Sequence, residues 1–176
     1  DLNFIIGFLL FLCYSYQIFY SIVPFSLKPK KHKLPIKKNN LAILIAARNE
    51  EAVIGNLLDS IHAQDYDKEL LHPIIIADNC TDNTAEIARE HGAIVYERFN
   101  DTERGKGYAL EWMFAKIFEM ETKYDSISIF DADNLLKEDY ISRMNESFDA
   151  GEKIVTSYRN TKNFGDNWIS ASYGVH

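Results

Sequence analysis

Ile127-Ser128-Ile129-Phe130-Asp131-Ala132-Asp133-Asn134 is an alternating apolar run that stops on two carboxylates. Such a run suits a strand buried in an α/β sheet, and open sheets of that kind gather ligands beyond the C-terminal ends of their strands. Asp131 and Asp133, two residues apart, need only a turn after the strand to converge on one cation. Carboxylate oxygens suit Mg²⁺ or Mn²⁺, and these ions commonly hold phosphates. The stretch therefore points to a metal-diphosphate site. Asp-x-Asp also arises by chance and as a helix cap, so the rest of the chain has to decide.

Working outward, the same unit repeats. Leu41 to Ala46 is a continuous apolar run of the kind a buried parallel strand shows, and it ends in Ala47-Arg48-Asn49-Glu50-Glu51. Val53, Ile54, Leu57, Leu58 and Ile61 then recur at helical spacing, with Glu50 and Glu51 expected in the first turn, where acids favour the helix dipole. A second unit opens with Pro73 to Ala77, turns at Asp78-Asn79-Cys80-Thr81-Asp82-Asn83, and continues as a helix from Thr84 to His91 that stops at Gly92. A short strand at Ala93 to Tyr96 and a charged, glycine-containing loop from Glu97 to Gly107 follow. Ala109, Leu110, Met113, Phe114, Ile117 and Phe118 form a broad helical face expected in the core. After the Ile127 strand the pattern predicts a helix from Lys137 to Ala150, closed by Gly151, and a strand from Lys153 to Ser157. Repeated strand-helix units predict an α/β fold with a mostly parallel, Rossmann-like sheet covered by helices on both faces.

In a parallel sheet the three polar turns, Arg48-Asn49-Glu50, Asp78-Asn79 and Asp131-Ala132-Asp133, fall along one edge, so they can line a single cleft. Each alone has a plainer reading. Glu50 suits a helix first turn, Asp78 an Asx turn, and Arg48 a pairing with a neighbouring acid. Gly105-Lys106-Gly107 offers a flexible cationic loop able to approach a diphosphate, although it is not a Walker loop, since Gly107 rather than Ser or Thr follows the lysine and the upstream spacing is wrong. An EF-hand reading of the Asp78 turn fails because its twelfth position is Arg89. The 5 histidines show no metal-ligand spacing. Asn79-Cys80-Thr81 and Asn145-Glu146-Ser147 match glycosylation sequons, which a cytoplasmic domain would not present to that machinery.

The 176 residues suffice for one core, 47% are hydrophobic, and the net charge is -7. Because Lys28, Lys30, Lys31, Lys33, Lys37 and Lys38 crowd one segment, the remainder is acidic, which argues against nucleic acid as a partner. The 2 cysteines, Cys13 and Cys80, make no disulfide framework. From Leu2 to Leu27 the chain carries no charge and is long enough to cross a bilayer; a cleaved signal would be shorter, with a basic start. The lysines that follow mark a cytoplasmic flank, and Pro29 and Pro35 suit an extended linker. The expected plan is a transmembrane helix over 1–27, a basic juxtamembrane linker over 28–40, and a domain over 41–176. The first residue is Asp1 rather than Met, and a fragment of a longer membrane protein is expected.

Ala46-Ala47-Arg48-Asn49-Glu50-Glu51, Ala77 to Thr84, Arg104-Gly105-Lys106-Gly107-Tyr108-Ala109-Leu110 and Phe130 to Asn134 occur in that order. Together they resemble the signature of family 2 glycosyltransferases, with the closest likeness to the membrane-bound cellulose synthase and poly-N-acetylglucosamine synthase-like branch. The resemblance covers Leu41 to His176 and implies a GT-A fold and inverting transfer from a nucleotide-sugar donor, a UDP-sugar above all, to a glycan or lipid acceptor. It implies that Ala47, Arg48, Asn49, Glu50, Asp78 and Asn79 cradle base and ribose. Lys106 would lie near the diphosphate, Asp131 with Ala132 near ribose and metal, and Asp133 on the metal, a Mg²⁺ or Mn²⁺ ion shared with Asp131. The family's general base and its Gln-Arg-Trp motif would lie past His176, so the chain is expected to be the donor-binding half, inactive by itself. Tyr158 to Trp168 would begin the acceptor side. Three rivals stand beside this reading: transfer to a lipid phosphate, a membrane-tethered binding module without turnover, and a haloacid-dehalogenase-like phosphatase. The last expects Thr or Val where Asn134 stands, and expects the motif to open the domain.

Overall fold

The computed structural model describes residues 2–26 and 37–157. Two compact units divide the chain, Asp1–His32 and Lys33–His176. The first contains α1 (Leu2–Ser26), 25 residues without a charged side chain, whose Phe4, Leu9, Phe11 and Phe19 are exposed. A helix apolar on every side finds its solvent in a protein core or a bilayer. Leu2–Tyr20 is long and apolar enough to cross a membrane.

The second unit is built on four parallel strands, β1 (Leu41–Ala47), β2 (Leu71–Asp78), β3 (Ile94–Arg98) and β4 (Ser126–Asp131), in the order β3-β2-β1-β4. Between them run α2 (Ile54–His62), α3 (Thr84–Glu90) and α4 (Lys106–Glu119), and α5 (Tyr140–Asp149) follows β4. Strand alternation divides the aliphatic side chains between two faces. Leu41, Ile43 and Ile45 meet Leu57 and Ile61 of α2 and Ile141 of α5 on one side, while Ala42, Leu44, Ile74 and Ile76 meet Ala109, Met113 and Ile117 of α4 on the other. Helices therefore cover both faces, as the repeated units predict.

Four local expectations fail. Residues Lys153 to Ser157 form no strand, and Ile154 is 88% exposed: no neighbour among the described residues offers them a ladder. The helix after β1 begins at Ile54, so Glu50 and Glu51 precede it rather than form its first turn. Their backbone is committed elsewhere, Glu50 N–H donating to Thr84 Oγ1 at 2.8 Å and Glu51 N–H to Asp82 Oδ2 at 3.2 Å. Lys106 is the first residue of α4 rather than part of a free loop. On α4 the apolar face is also narrower than expected, with Phe118 72% exposed. Gly92 (φ 76°) and Gly151 (φ 88°) stand just beyond α3 and α5, in the left-handed region that closes a helix at least cost in glycine. The Tyr158 to Trp168 stretch and most of the basic linker lie outside the described residues.

Candidate active site

Register decides what meets at the sheet edge. Ala46 lies opposite Asp131, Ala47 opposite Ala77, and Asp78 opposite Arg98, so β1, β2 and β4 deliver their polar termini to one margin. Successive strands step one way from β1 and β4 returns on its other side; crevices for ligands form outside the carboxyl ends at such a reversal. A cavity of about 380 Å³ opens there. Arg48, Glu50, Asp78, Lys106, Asp131 and Asp133 line it, with Ala46, Ala47, Gly105 and Ala132 as its small residues. Ligand sites commonly have volumes of roughly 300–1,000 Å³.

Asn49 and Asn79 are not part of that lining. Both adopt left-handed backbone, φ 56° and 53°, which asparagine tolerates better than most residues, and both turn the chain where its strand ends. Their amides act as braces. Asn49 Oδ1 accepts from Thr81 N–H at 2.8 Å, and Asn79 Oδ1 accepts from Asn100 N–H at 2.9 Å. Asp82 strengthens the first brace. Burial pushes its carboxyl up, but the hydroxyl and N–H of Thr84 and the N–H of Glu51 outweigh this and hold it below the usual range. Cys80, in the same turn, has its thiol pushed up by burial and rests 3.5 Å from Ala47 O, which suits packing rather than reactivity.

Asp78 is 4% exposed, and its Oδ1 accepts from Arg98 at 2.7 Å. Arg98 is equally buried and also donates to Glu103 O at 2.8 Å, tying the residue 99–105 loop to the floor of the cavity. The sequence reading ended this strand at Tyr96 and passed over Arg98, which the structure places at the last position of β3, opposite Asp78. It also gave Asn134 no separate role. Asn134 Oδ1 accepts from Asp131 N–H at 3.2 Å, its own N–H donates to Asp131 O at 3.0 Å, and its Nδ2 reaches Asp133 Oδ1 at 3.3 Å. One side chain thus sets the turn that carries both acids.

Lys106 makes an ion pair with Asp131 across the cavity wall. Arg48, exposed, makes no ion pair among the described residues. No group of three or more His, Cys, Asp or Glu able to hold a metal occurs among the described residues. Two carboxylates nevertheless suit Mg²⁺ or Mn²⁺, because such ions are commonly held by one or two protein acids and complete their shell with phosphates and water. The donor set fits an ion shared with a diphosphate.

Comparison with known proteins identifies the family and the fold. Residues 39–175 match the family described as "Glycosyltransferase like family 2". The chain belongs to that family. Over 84 residues, 45% of this chain and 21% of the relative, it is 42% identical to the 4,4'-diaponeurosporenoate glycosyltransferase of Staphylococcus aureus. It is 36% identical over 93 residues, 53% of this chain and 21% of the relative, to the low-salt glycan biosynthesis hexosyltransferase Agl6 of Haloferax volcanii. The matches thus span about a fifth of these curated relatives, and neither is named as a cellulose or poly-N-acetylglucosamine synthase. Among solved structures, the mannosyltransferase PcManGT of Pyrobaculum calidifontis, in complex with GDP-Man and Mn²⁺, superposes with a TM-score of 0.59 at 19% identity. It covers 76% of this chain, which in turn covers 39% of it, and the likeness establishes the GT-A fold.

Proposed function

We propose that this chain is the donor-binding half of an inverting, metal-dependent glycosyltransferase that takes a nucleotide-sugar, a UDP-sugar first of all, and passes the sugar to a glycan or lipid acceptor at a membrane. One observation carries the reading: Arg48, Asp78, Asp131 and Asp133, from three strand ends, and Lys106, from a helix start, line one cavity at the switch of strand order. Asp131 and Asp133 would hold Mg²⁺ or Mn²⁺, which as a Lewis acid would neutralise the departing nucleoside diphosphate. Asp78, fixed by Arg98, presents an acceptor to the N–H of a base or to a ribose hydroxyl. Glu50 and Ala47 border the nucleoside side. Arg48 and Lys106 supply the cations that draw the diphosphate into a cavity otherwise rich in carboxylates. Attack from the face opposite the diphosphate needs a general base, which this reading assigns to the acceptor side of the whole enzyme rather than to this cavity.

Calorimetric titration of UDP-sugars with and without Mn²⁺ tests the assignment. Binding should require the ion in the wild type and weaken at least about tenfold in Asp133→Asn, the loss of one charged ligand to a cation. Metal-independent binding untouched by that substitution would remove the metal from the reading. Saturable binding without turnover in the whole protein would favour a tethered binding module.

The acceptor stays between two kinds. The relatives' names point to a glycan in one case and to 4,4'-diaponeurosporenoate in the other. We place α1 (residues 1–27 of the expected plan) in the membrane, with the basic residues 28–40 and the GT-A domain, 41–176, on its cytoplasmic side. Its uncharged 25 residues and the lysines that follow support this orientation. Carbonate washing should leave the protein in the membrane fraction, and protease added outside intact cells should leave the domain uncut.

A further inference from the structure

We propose that Lys106 is a resident cation of the site that changes partners, from Asp131 to the donor's diphosphate, so that divalent ion and nucleotide bind cooperatively. The proposal rests on the donor-site reading above. Its starting point is the ion pair between the Lys106 ammonium and Asp131 Oδ1, residues 25 apart in sequence. One is the first residue of α4 and the other the last of β4. At 43% and 37% exposure these side chains face solvent and can part without unpacking a core. The backbone around the lysine is equally unencumbered: Gly105 and Gly107 have no atom within 4 Å of where a Cβ would stand. Asp133, by contrast, makes no ion pair among the described residues and accepts only a long 3.3 Å bond from Asn134.

The two acids are therefore not equivalent. A divalent ion arriving alone finds Asp133 ready but Asp131 already neutralised, and it is repelled by the ammonium beside it. A diphosphate arriving with the ion offers that ammonium a new and stronger anionic partner, which draws its positive charge off Asp131. Ion and nucleotide must then each tighten the other by the same factor, as linkage requires. Lys106 has two tasks in this scheme: it suppresses binding of the bare ion and helps to hold the diphosphate.

The test counts free Mn²⁺ by electron paramagnetic resonance as the whole protein, in mild detergent, is titrated with and without UDP. Without nucleotide, Lys106→Met should bind Mn²⁺ about tenfold more tightly than wild type, since one adjacent positive charge is gone. Arg104→Gln removes a cation from the loop just before α4, paired with Asp101 at 2.6 Å, and should change Mn²⁺ affinity by no more than about twofold. Lys106→Arg, which keeps the charge, should behave as wild type and shows that the fold tolerates change at this position. UDP should tighten Mn²⁺ binding strongly in wild type and far less in Lys106→Met. Unchanged or weaker binding of the bare ion in Lys106→Met, or an equal effect of Arg104→Gln, overturns the partner exchange while leaving the donor site standing. Failure of wild type to bind Mn²⁺ and UDP in any combination overturns both.

Discussion

Asp78 and Arg98 are both 4% exposed and meet at 2.7 Å, so neither charge has water to fall back on. Removing one partner of such a pair leaves the other buried and unmatched, at a cost of about 3–5 kcal/mol. Arg98→Met should therefore lower unfolding free energy by about that much in urea melts and weaken UDP binding as well. The double variant Arg98→Met, Asp78→Leu should recover most of the stability and none of the nucleotide affinity. Recovery of both would mean that Asp78 does not touch the donor. Nothing local in the sequence marks Arg98. Its partner is 20 residues away, and only the pairing of β2 with β3 makes the two neighbours. Asn145 teaches the same lesson. It reads as a sequon asparagine, yet it is 1% exposed, and its Oδ1 accepts from Asn39 N–H at 3.0 Å and Asn39 Nδ2 at 2.8 Å. Tyr66 completes the cluster, its hydroxyl pushed up to about 12 by burial and within 3.0 Å of Asn145 Oδ1. Enclosed in this way, Asn145 is closed to glycosylation.

The elements were far more legible than their ends. Continuous aliphatic runs mark β1 and β2 because both faces of a central parallel strand are buried, and α2 shows its stripe because Ile54, Leu57, Leu58 and Ile61 all point at the sheet. Leu57→Ala should cost about 2–5 kcal/mol in denaturant melts, the range for emptying a filled core site. Phe118→Ser, on the exposed end of the α4 pattern, should stay within about 0.5 kcal/mol. A large loss there would show that another surface covers it. Boundaries were misread where tertiary contacts set them. Neither Val53 before α2 nor Asp139 before α5 makes a side-chain capping bond, so a search for capping residues has nothing to find. Instead Gln64 fixes the start of α5, donating to Lys137 O at 2.8 Å and accepting from Ile141 N–H at 2.9 Å. Lys153 to Ser157 has strand composition but no strand to pair with among the described residues, and composition cannot supply one. The cavity was readable in kind, since acids at strand ends in a parallel sheet must share an edge. What the sequence does not show is that Asn49 and Asn79, outside the cavity lining, hold left-handed turns by bonding to neighbouring loops.

At the scale of the whole molecule, acid should undo the domain in two stages, and the sign follows from which form each group keeps. Burial lowers the pKa of His72, whose ring meets Asn40 Oδ1 at 2.7 Å and packs on Tyr124. The folded domain thus prefers neutral His72, a contribution present above the ordinary value of about 6.5 and lost as pH falls through the lower folded value. Asp125 accepts from Asn40 N–H at 2.8 Å and from Lys37 at 2.9 Å, and these bonds hold its carboxyl below the usual range. With Asp82, lowered likewise, its stabilisation is present above the ordinary carboxyl value of about 4 and lost as pH falls through the folded values. Asn40 is where the two stages meet: His72 donates to its Oδ1 and Asp125 accepts from its N–H immediately before β1, so charging the half-buried imidazole and protonating the carboxylate both act at the start of the central strand, the first through desolvation and the second through a lost hydrogen bond. Thermal midpoints should decline gently below about pH 6.5 and steeply below about pH 4. His72→Gln should abolish the gentle limb and leave the steep one, while Asp125→Asn should lower the midpoint at neutral pH and flatten the steep limb. A midpoint constant from pH 7 to pH 3 in wild type would mean that these bonds contribute nothing to holding β1 in place.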